Sequence, residues 1–327
     1  MSHRQEQRPP KLAATVAAYH RIRIKGEISV TPVESIHADP HATVIVLIGP
    51  TGAGKSSFIE ALNSRSAHGR LGIAKNQLES ATKHAEMYRV QNIEDKRRGM
   101  PIYVVDTPGL VDPKISEFEV LTAISKWRDE CNCLGAVRAL YFHPITDVRL
   151  ASSKQSCIRL FKSFWGAYNT PTVSLVTTMW DTLRPEKRDA AEERFDRLVA
   201  DHWGDWSWKG SKSLKFENTF ESAMDIINRV TPFGIMGAIR SSSKCKVTDY
   251  GRANSTTGMP VVEELLRERI RNLNQQREII SEDLRDPFNR ANDELVRILV
   301  RNWEDVSYTL DWHIDELEEF LQEKRTL

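Results

Sequence analysis

Cysteine is scarce in this chain. The four present (Cys131, Cys133, Cys157 and Cys245) are too few and too scattered for a disulfide framework. Free, reduced thiols are expected, which fits a reducing compartment. Cys131 and Cys133 are not followed by a Cys/His pair at zinc spacing, so no metal clamp is read there. Long apolar runs are lacking too: none approaches the roughly 18 residues that span a bilayer. The N-terminal segment has no signal-peptide pattern, and the expectation is a cytoplasmic protein without a membrane role. An excess of either charge is missing, since 46 Lys+Arg face 45 Asp+Glu and the net charge is +1. Bulk charge therefore gives no reason to expect a nucleic-acid partner.

What is present suits a packed core. Hydrophobic residues make up 40% and charged residues 28%, near globular averages. Residues 1–42 are polar, with Pro9-Pro10, and read as a mobile tail holding at most a short helix near Leu12–Tyr19. At Thr43 the character changes. TVIVLIG is a continuous β-branched apolar run, as expected of a strand buried on both faces of a parallel sheet. SSFIEAL then reads as helix. YRVQNI, PIYVVDT, AVRALYFHPI, TVSLVTT and SLKFENTF read as further strands, and helices are expected over 116–130, 152–168, 185–203 and 222–230. This alternation predicts an α/β fold, a mostly parallel central sheet with helices on both faces, spanning 43–233. A linker is expected over 234–258. Leucines and other apolar residues spaced by seven predict a helical extension over 259–327, broken near Pro287. Coiled coil, helical hairpin and a helical lid on the α/β domain are all open readings.

Four motifs carry chemistry, and all fall at carboxyl ends of strands, where such sheets bind ligands. The first is Gly49-Pro50-Thr51-Gly52-Ala53-Gly54-Lys55-Ser56, running into Ser57. It matches the phosphate-loop pattern in the required strand–loop–helix context. Successive main-chain N–H groups are expected to point at phosphate oxygens, with the helix dipole behind them. Lys55 is expected to reach the terminal phosphates and act catalytically. Ser56 is expected to ligate Mg²⁺. The second motif is Asp106-Thr107-Pro108-Gly109. Its acid is expected to help hold Mg²⁺, and the Gly109 N–H to bond the last phosphate, making the next segment a switch. The third, Thr177-Thr178-Met179-Trp180-Asp181, places Asp181 where a carboxylate reads guanine, although Thr178 and Met179 replace the usual Asn-Lys. The fourth is Ser80-Ala81-Thr82, whose Thr82 is expected to complete the metal shell.

These residues together resemble the septin-like branch of the TRAFAC-class P-loop GTPases, which includes septins, chloroplast-import Toc GTPases and immunity-associated GTPases. The order LYFHPITDVR, VTTMWD and ESAMDII, with ESAT at 79–82, is similar to a group of fungal G-domain proteins that share a TTMWD segment. The resemblance covers about residues 43–231. It implies GTP/GDP and Mg²⁺ as ligands, slow hydrolysis and G-domain dimerisation. It places the last base contact in ENTFESA, with Ser222-Ala223 as the usual pair and Asn218 as the alternative. Leu110 follows Gly109, so no glutamine is there to orient water. The resemblance implies instead that Arg149 acts across a homodimer, and a surface salt bridge to Asp147 is the other reading. The function expected is a GTP-binding switch or assembly module with slow turnover. The alternative is a nucleotide-binding scaffold with negligible turnover. Trp203, Trp206 and Trp208 are expected to pack on the domain, His143 to be structural, and Lys96-Arg97-Arg98 to form a solvated turn.

Overall fold

The computed structural model describes residues 19–34, 39, 41–67, 69–74, 84–112, 115–131, 136–232 and 255–326. Its centre is the expected apolar run. All six residues of β3 (Thr43–Ile48) are buried. It lies parallel to β5 (Pro101–Asp106) on one side and β6 (Ala136–Pro144) on the other. β7 (Val173–Thr178) and β8 (Lys212–Lys215) extend the parallel sheet beyond β6. β4 (Glu86–Asp95) runs antiparallel to β5, so the sheet is mixed but mostly parallel. Between these two strands the Lys96–Arg98 turn is clamped by Arg98, whose guanidinium donates to Asp95 at 3.2 Å and to Thr43 Oγ1 at 2.9 Å.

The expectation of a tail through residue 42 is corrected by two short strands, β1 (Ile22–Ile24) and β2 (Val30–Val33). Both pair antiparallel with the outer edge of β4. Three- and four-residue strands have no readable period of their own. Their formation rests on partners far along the chain: Asn63 Oδ1 accepts from Val30 N at 2.8 Å, and Ile22, Ile28 and Val30 are buried in the core. Asn92, left-handed at φ 59°, makes the bulge in β4 that opens between its two partners. Pro32 sits in β2, on the edge of the sheet, where a missing N–H costs no ladder bond. Residues 1–18, most of the expected linker, and Thr82 lie outside the described residues.

Alternation along β3 sends Ile45 and Leu47 to one face and Val44, Val46 and Ile48 to the other. Helices α1 (Lys55–Asn63) and α6 (Phe220–Val230) cover the first face through Phe58, Ile59, Met224 and Ile227. The second is covered by α2 (Glu117–Cys131) and α3 (Ser152–Trp165), together with Trp203 and Trp206. The expected helix over 152–168 stops at Trp165, where Gly166 turns at φ 81°. The expected helix over 185–203 is also broken up. A 3₁₀ turn and α4 (Arg188–Arg197) lead into a π-helical turn, Leu198–Trp203, and then α5 (Gly204–Trp208). The wider turn brings Trp203 onto Phe161 (ring centroids 6.1 Å apart) and its Nε1 to Ser211 Oγ at 2.9 Å. Trp206 is buried beside it, and Trp208 is exposed.

The C-terminal region is a helical hairpin: α7 (Ser255–Arg285), the short α8 (Pro287–Arg290) and α9 (Asp293–Thr326). Pro287 stands at the first position of α8, with the Asp286 carboxylate capping Phe288 N at 2.8 Å. One end of the hairpin packs on the sheet domain. There Val262, Leu265, Leu266 and Phe320 meet Leu160, with Phe118 edge-on to Phe320 at 5.4 Å. Between Leu266 and Leu310 no described residue is buried. The hairpin is thus seated at one end and projects from the domain along the rest of its length.

Candidate functional site

The register of the sheet gathers the motifs. Leu47 lies opposite Asp106, Ile48 opposite Tyr141, and Pro144 opposite Thr178. The carboxyl ends of β3, β5, β6 and β7 therefore open on one rim. β3 is the point at which the chain order turns from one side of the sheet to the other.

At Gly49 the loop must pass directly over β6. Its φ is 151°, and a Cβ there would lie 2.5 Å from the Phe142 carbonyl oxygen. The loop then closes on itself. Lys55 is buried at the start of α1, and its ammonium donates to the carbonyls of Gly49 (3.0 Å) and Pro50 (3.1 Å). Burial lowers the Lys55 pKa to about 8, with Asp106 and Asp112 pulling the other way. A cation held at such cost is ready for an anion that restores its surroundings. Ser56 Oγ donates to Asp106 Oδ2 at 2.7 Å, so the two proposed metal-binding groups stand side by side. They are hard oxygen donors of the kind Mg²⁺ takes. Among the described residues no cluster of three or more His, Cys, Asp or Glu could hold a metal alone. A magnesium ion here would rely on phosphate oxygens as well, as this ion commonly does. Gly52 is exposed on the loop, Ala53 is buried beneath it, and Ser57 continues the first turn of α1.

The Asp106 motif lies flat against this loop. Thr51 N donates to the Leu110 carbonyl at 2.9 Å, and Leu110 N to the Gly49 carbonyl at 3.0 Å. Gly109 packs so closely that a Cβ would fall 2.6 Å from Thr51 N. Thr51 Oγ1 donates to Asp112 Oδ2 at 3.0 Å. Asp112 was not singled out from the sequence. The only cue is a second acid soon after Gly109.

On the other side, Thr178 Oγ1 donates to the Ala53 carbonyl at 2.9 Å and ties the end of β7 to the phosphate loop. Met179 turns at φ 63°, and Trp180 is buried below with its Nε1 on Thr177 Oγ1 at 3.0 Å. Asp181 is left exposed, accepting from Asn218 Nδ2 at 3.0 Å. The expected strand SLKFENTF ends at Lys215, and Phe216–Thr219 form the loop that carries Asn218, left-handed at φ 56°. Ser222 and Ala223 lie inside α6. Their N–H groups bond Thr219 Oγ1 (3.2 Å) and the Thr219 carbonyl (3.1 Å) in a capping box. The side chain that meets Asp181 is Asn218.

Arg149 is exposed in the loop after β6, beside exposed Val148. Among the described residues it makes no ion pair: Asp147 is engaged by Lys154 and lies 3.9 Å from His143 Nε2. Burial lowers the His143 pKa to about 4, against the pull of Asp147. The ring is therefore neutral near pH 7. No helix among the described residues is long and apolar enough to cross a membrane.

Residues 44–159, about a third of the chain, match the family model described as a 50S ribosome-binding GTPase. No curated protein matches the chain. Among solved structures, it is similar to Toc33 from Arabidopsis thaliana in complex with Mg²⁺ and GMPPNP. That likeness is 14% identical, covers 62% of this chain and 86% of that one, and has a TM-score of 0.44. A nucleolar GTP-binding protein 1 from Plasmodium falciparum is 14% identical over 68% of this chain and 98% of its own, with a TM-score of 0.31. One chain of an oligomerised bacterial dynamin pair is 14% identical, with 86% and 48% covered and a TM-score of 0.34. The fold of this chain is that of a P-loop GTPase G domain followed by a C-terminal helical region.

Proposed function

We propose that the protein binds GTP and GDP with Mg²⁺ on Gly49–Ser56 and acts as a slow GTPase whose nucleotide state sets its conformation or assembly. The observation that carries this reading is the buried Lys55 ammonium beside the Ser56–Asp106 pair, at a helix N-terminus that follows a buried strand. In the proposed site Lys55 and the loop N–H groups hold the phosphates. Ser56 and Asp106 hold Mg²⁺, which draws off charge on the phosphate oxygens. Asp181 and Asn218 face the base, with Thr178 fixing their strand to the loop. Thr82 is proposed as a further metal contact. The TTMWD segment, ESAT and the ESAMDII run support placement in the septin-like branch, near the fungal G-domain group.

Arg149 is proposed as the group that completes hydrolysis across a homodimer. Its exposure, and the lack of an ion pair to it among the described residues, support that role. A scaffold with negligible turnover is the second reading. Leu110 favours it: the residue after Gly109 is apolar, buried and paired to the loop, and brings no group to orient water. Two measurements test these readings. Purified protein is expected to carry or bind guanine nucleotide in preference to adenine nucleotide, with Lys55→Ala binding far more weakly; equal binding by Lys55→Ala removes the reading. Single-turnover GTP cleavage that rises with protein concentration and falls in Arg149→Ala supports the dimer-activated GTPase. Binding without cleavage at any concentration leaves the scaffold.

A further inference from the structure

The segment that leans on the phosphate loop is held from behind by the C-terminal hairpin. Arg269, on α7, donates through Nη1 to the Asp112 carbonyl at 2.6 Å. Its Nη2 reaches both carboxylate oxygens of Glu117, at 3.2 and 3.4 Å. Glu117 Oε1 in turn accepts from Val111 N at 3.2 Å, and Val111 is left-handed at φ 58°. Arg269 and Glu117 are both largely shielded from solvent. A second joint lies on α9. Ser116 Oγ donates to Glu316, whose other oxygen contacts His313 Nδ1 at 2.9 Å, and Ser116 Oγ also accepts from Glu119 N at 3.0 Å. Among the described residues, His313 Nε2 and Glu119 Oε2 at this joint are buried and find no hydrogen-bond partner.

α7 thus fastens Asp112, in the segment that takes up donors of the phosphate loop, and α9 fastens Ser116 a few residues beyond it. Thr51 N–H is given to Leu110 and Thr51 Oγ1 to Asp112, while the Lys55 ammonium is held by the loop's own Gly49 and Pro50 carbonyls. A terminal phosphate has to reclaim Lys55 and draw the Gly109 N–H toward itself, which shifts residues 109–112. We propose that Arg269 is a positioning residue that couples the 109–112 segment to the C-terminal hairpin. It opposes the arrangement a triphosphate needs, so that triphosphate binding loosens the hairpin seat. The proposal rests on the nucleotide reading above. Linkage makes the effect reciprocal: whatever Arg269 takes from triphosphate affinity, triphosphate takes from the Arg269 contact.

The test uses the full chain and titrates GDP and guanosine 5′-(β,γ-imido)triphosphate with Mg²⁺. Arg269→Ala is expected to raise the affinity ratio of analogue to GDP by about fivefold or more. Glu316→Gln should shift it in the same direction. Arg267→Ala, which removes an exposed pair with Glu263 on the same helix and touches nothing in the 109–112 segment, should leave the ratio unchanged. In the unaltered protein the analogue, compared with GDP, should speed amide exchange over 262–270 and 310–320. A ratio unchanged in Arg269→Ala together with exchange indifferent to the nucleotide overturns the coupling and leaves nucleotide binding intact. A general loosening from a damaged fold would weaken both ligands alike and also overturns it. Failure of the unaltered chain to bind either nucleotide overturns the coupling and the nucleotide reading together.

Discussion

In the proposed site Asn218 and Asp181, which meet at 3.0 Å, would divide the edge of a guanine between them in a way that can be read chemically. A carboxylate accepts from the ring N–H and the 2-amino group, and the Asn218 amide is a donor suited to the 6-oxo group. Asn218→Ala is expected to lose roughly tenfold of the preference for GTP over its 2,6-diaminopurine analogue, while the preference for GTP over ITP survives. Asp181→Ala should lose preference over both analogues, since 2,6-diaminopurine lacks the ring N1–H and ITP lacks the 2-amino group, and competition binding with the three nucleotides checks both. His143 gives a prediction in pH. Its folded pKa, lowered by burial to about 4, lies below the ordinary value of 6.5. In that window the unfolded chain binds the extra proton, so stability falls as pH drops from about 6.5 toward 4. Thermal melts of His143→Gln should show a shallower loss across the same range. A slope equal to that of the unaltered protein would deny the ring its buried, neutral state. The phosphate loop was legible at this scale because all its parts sit in eight consecutive residues. Asp112 and Arg269 were not, because 157 positions separate two groups that meet only after the chain has folded.

The helical turn at Leu198–Trp203 decides what three nearby tryptophans do. It packs Trp203 against both Phe161 and Tyr141, seats Trp206 beside it, and leaves Trp208 at 91% exposure. Trp203→Ala is expected to destabilise the domain by about 3–5 kcal/mol, and Trp208→Ala by less than about 0.5 kcal/mol. Urea unfolding separates them, and similar costs would contradict this packing. The main strands and helices were readable because each buries a run or a stripe long enough to show a period: TVIVLIG for the centre of the sheet, and Ile158, Phe161 and Trp165 for α3. The breaks were not. A π turn has no residue code, and β1 and β2 owe their form to the edge of β4. Phe216, an apolar residue directly after Lys215, extends the strand pattern into what is the loop Phe216–Thr219.

At the level of the whole chain, the C-terminal hairpin is part of the folded domain at one end. Its seat covers Leu160 and the partly buried Phe118 and Leu121. A chain ending at Pro232 should therefore associate or melt at a lower temperature than the full protein, as light scattering and calorimetry would show. Equal behaviour would mean that the seat contributes no burial of consequence. Heptad spacing announced two helices broken near Pro287 but could not say where they lie, since a seven-residue stripe serves a partner helix and a domain surface equally well.

The hairpin's one-ended seat also has a mechanical consequence. From Leu266 to the turn at Arg285, α7 runs about 29 Å at the usual rise per residue. It is a lever with its fulcrum beside the residues that follow Gly109. A tilt of about 10° there would sweep the exposed Phe288 through about 5 Å.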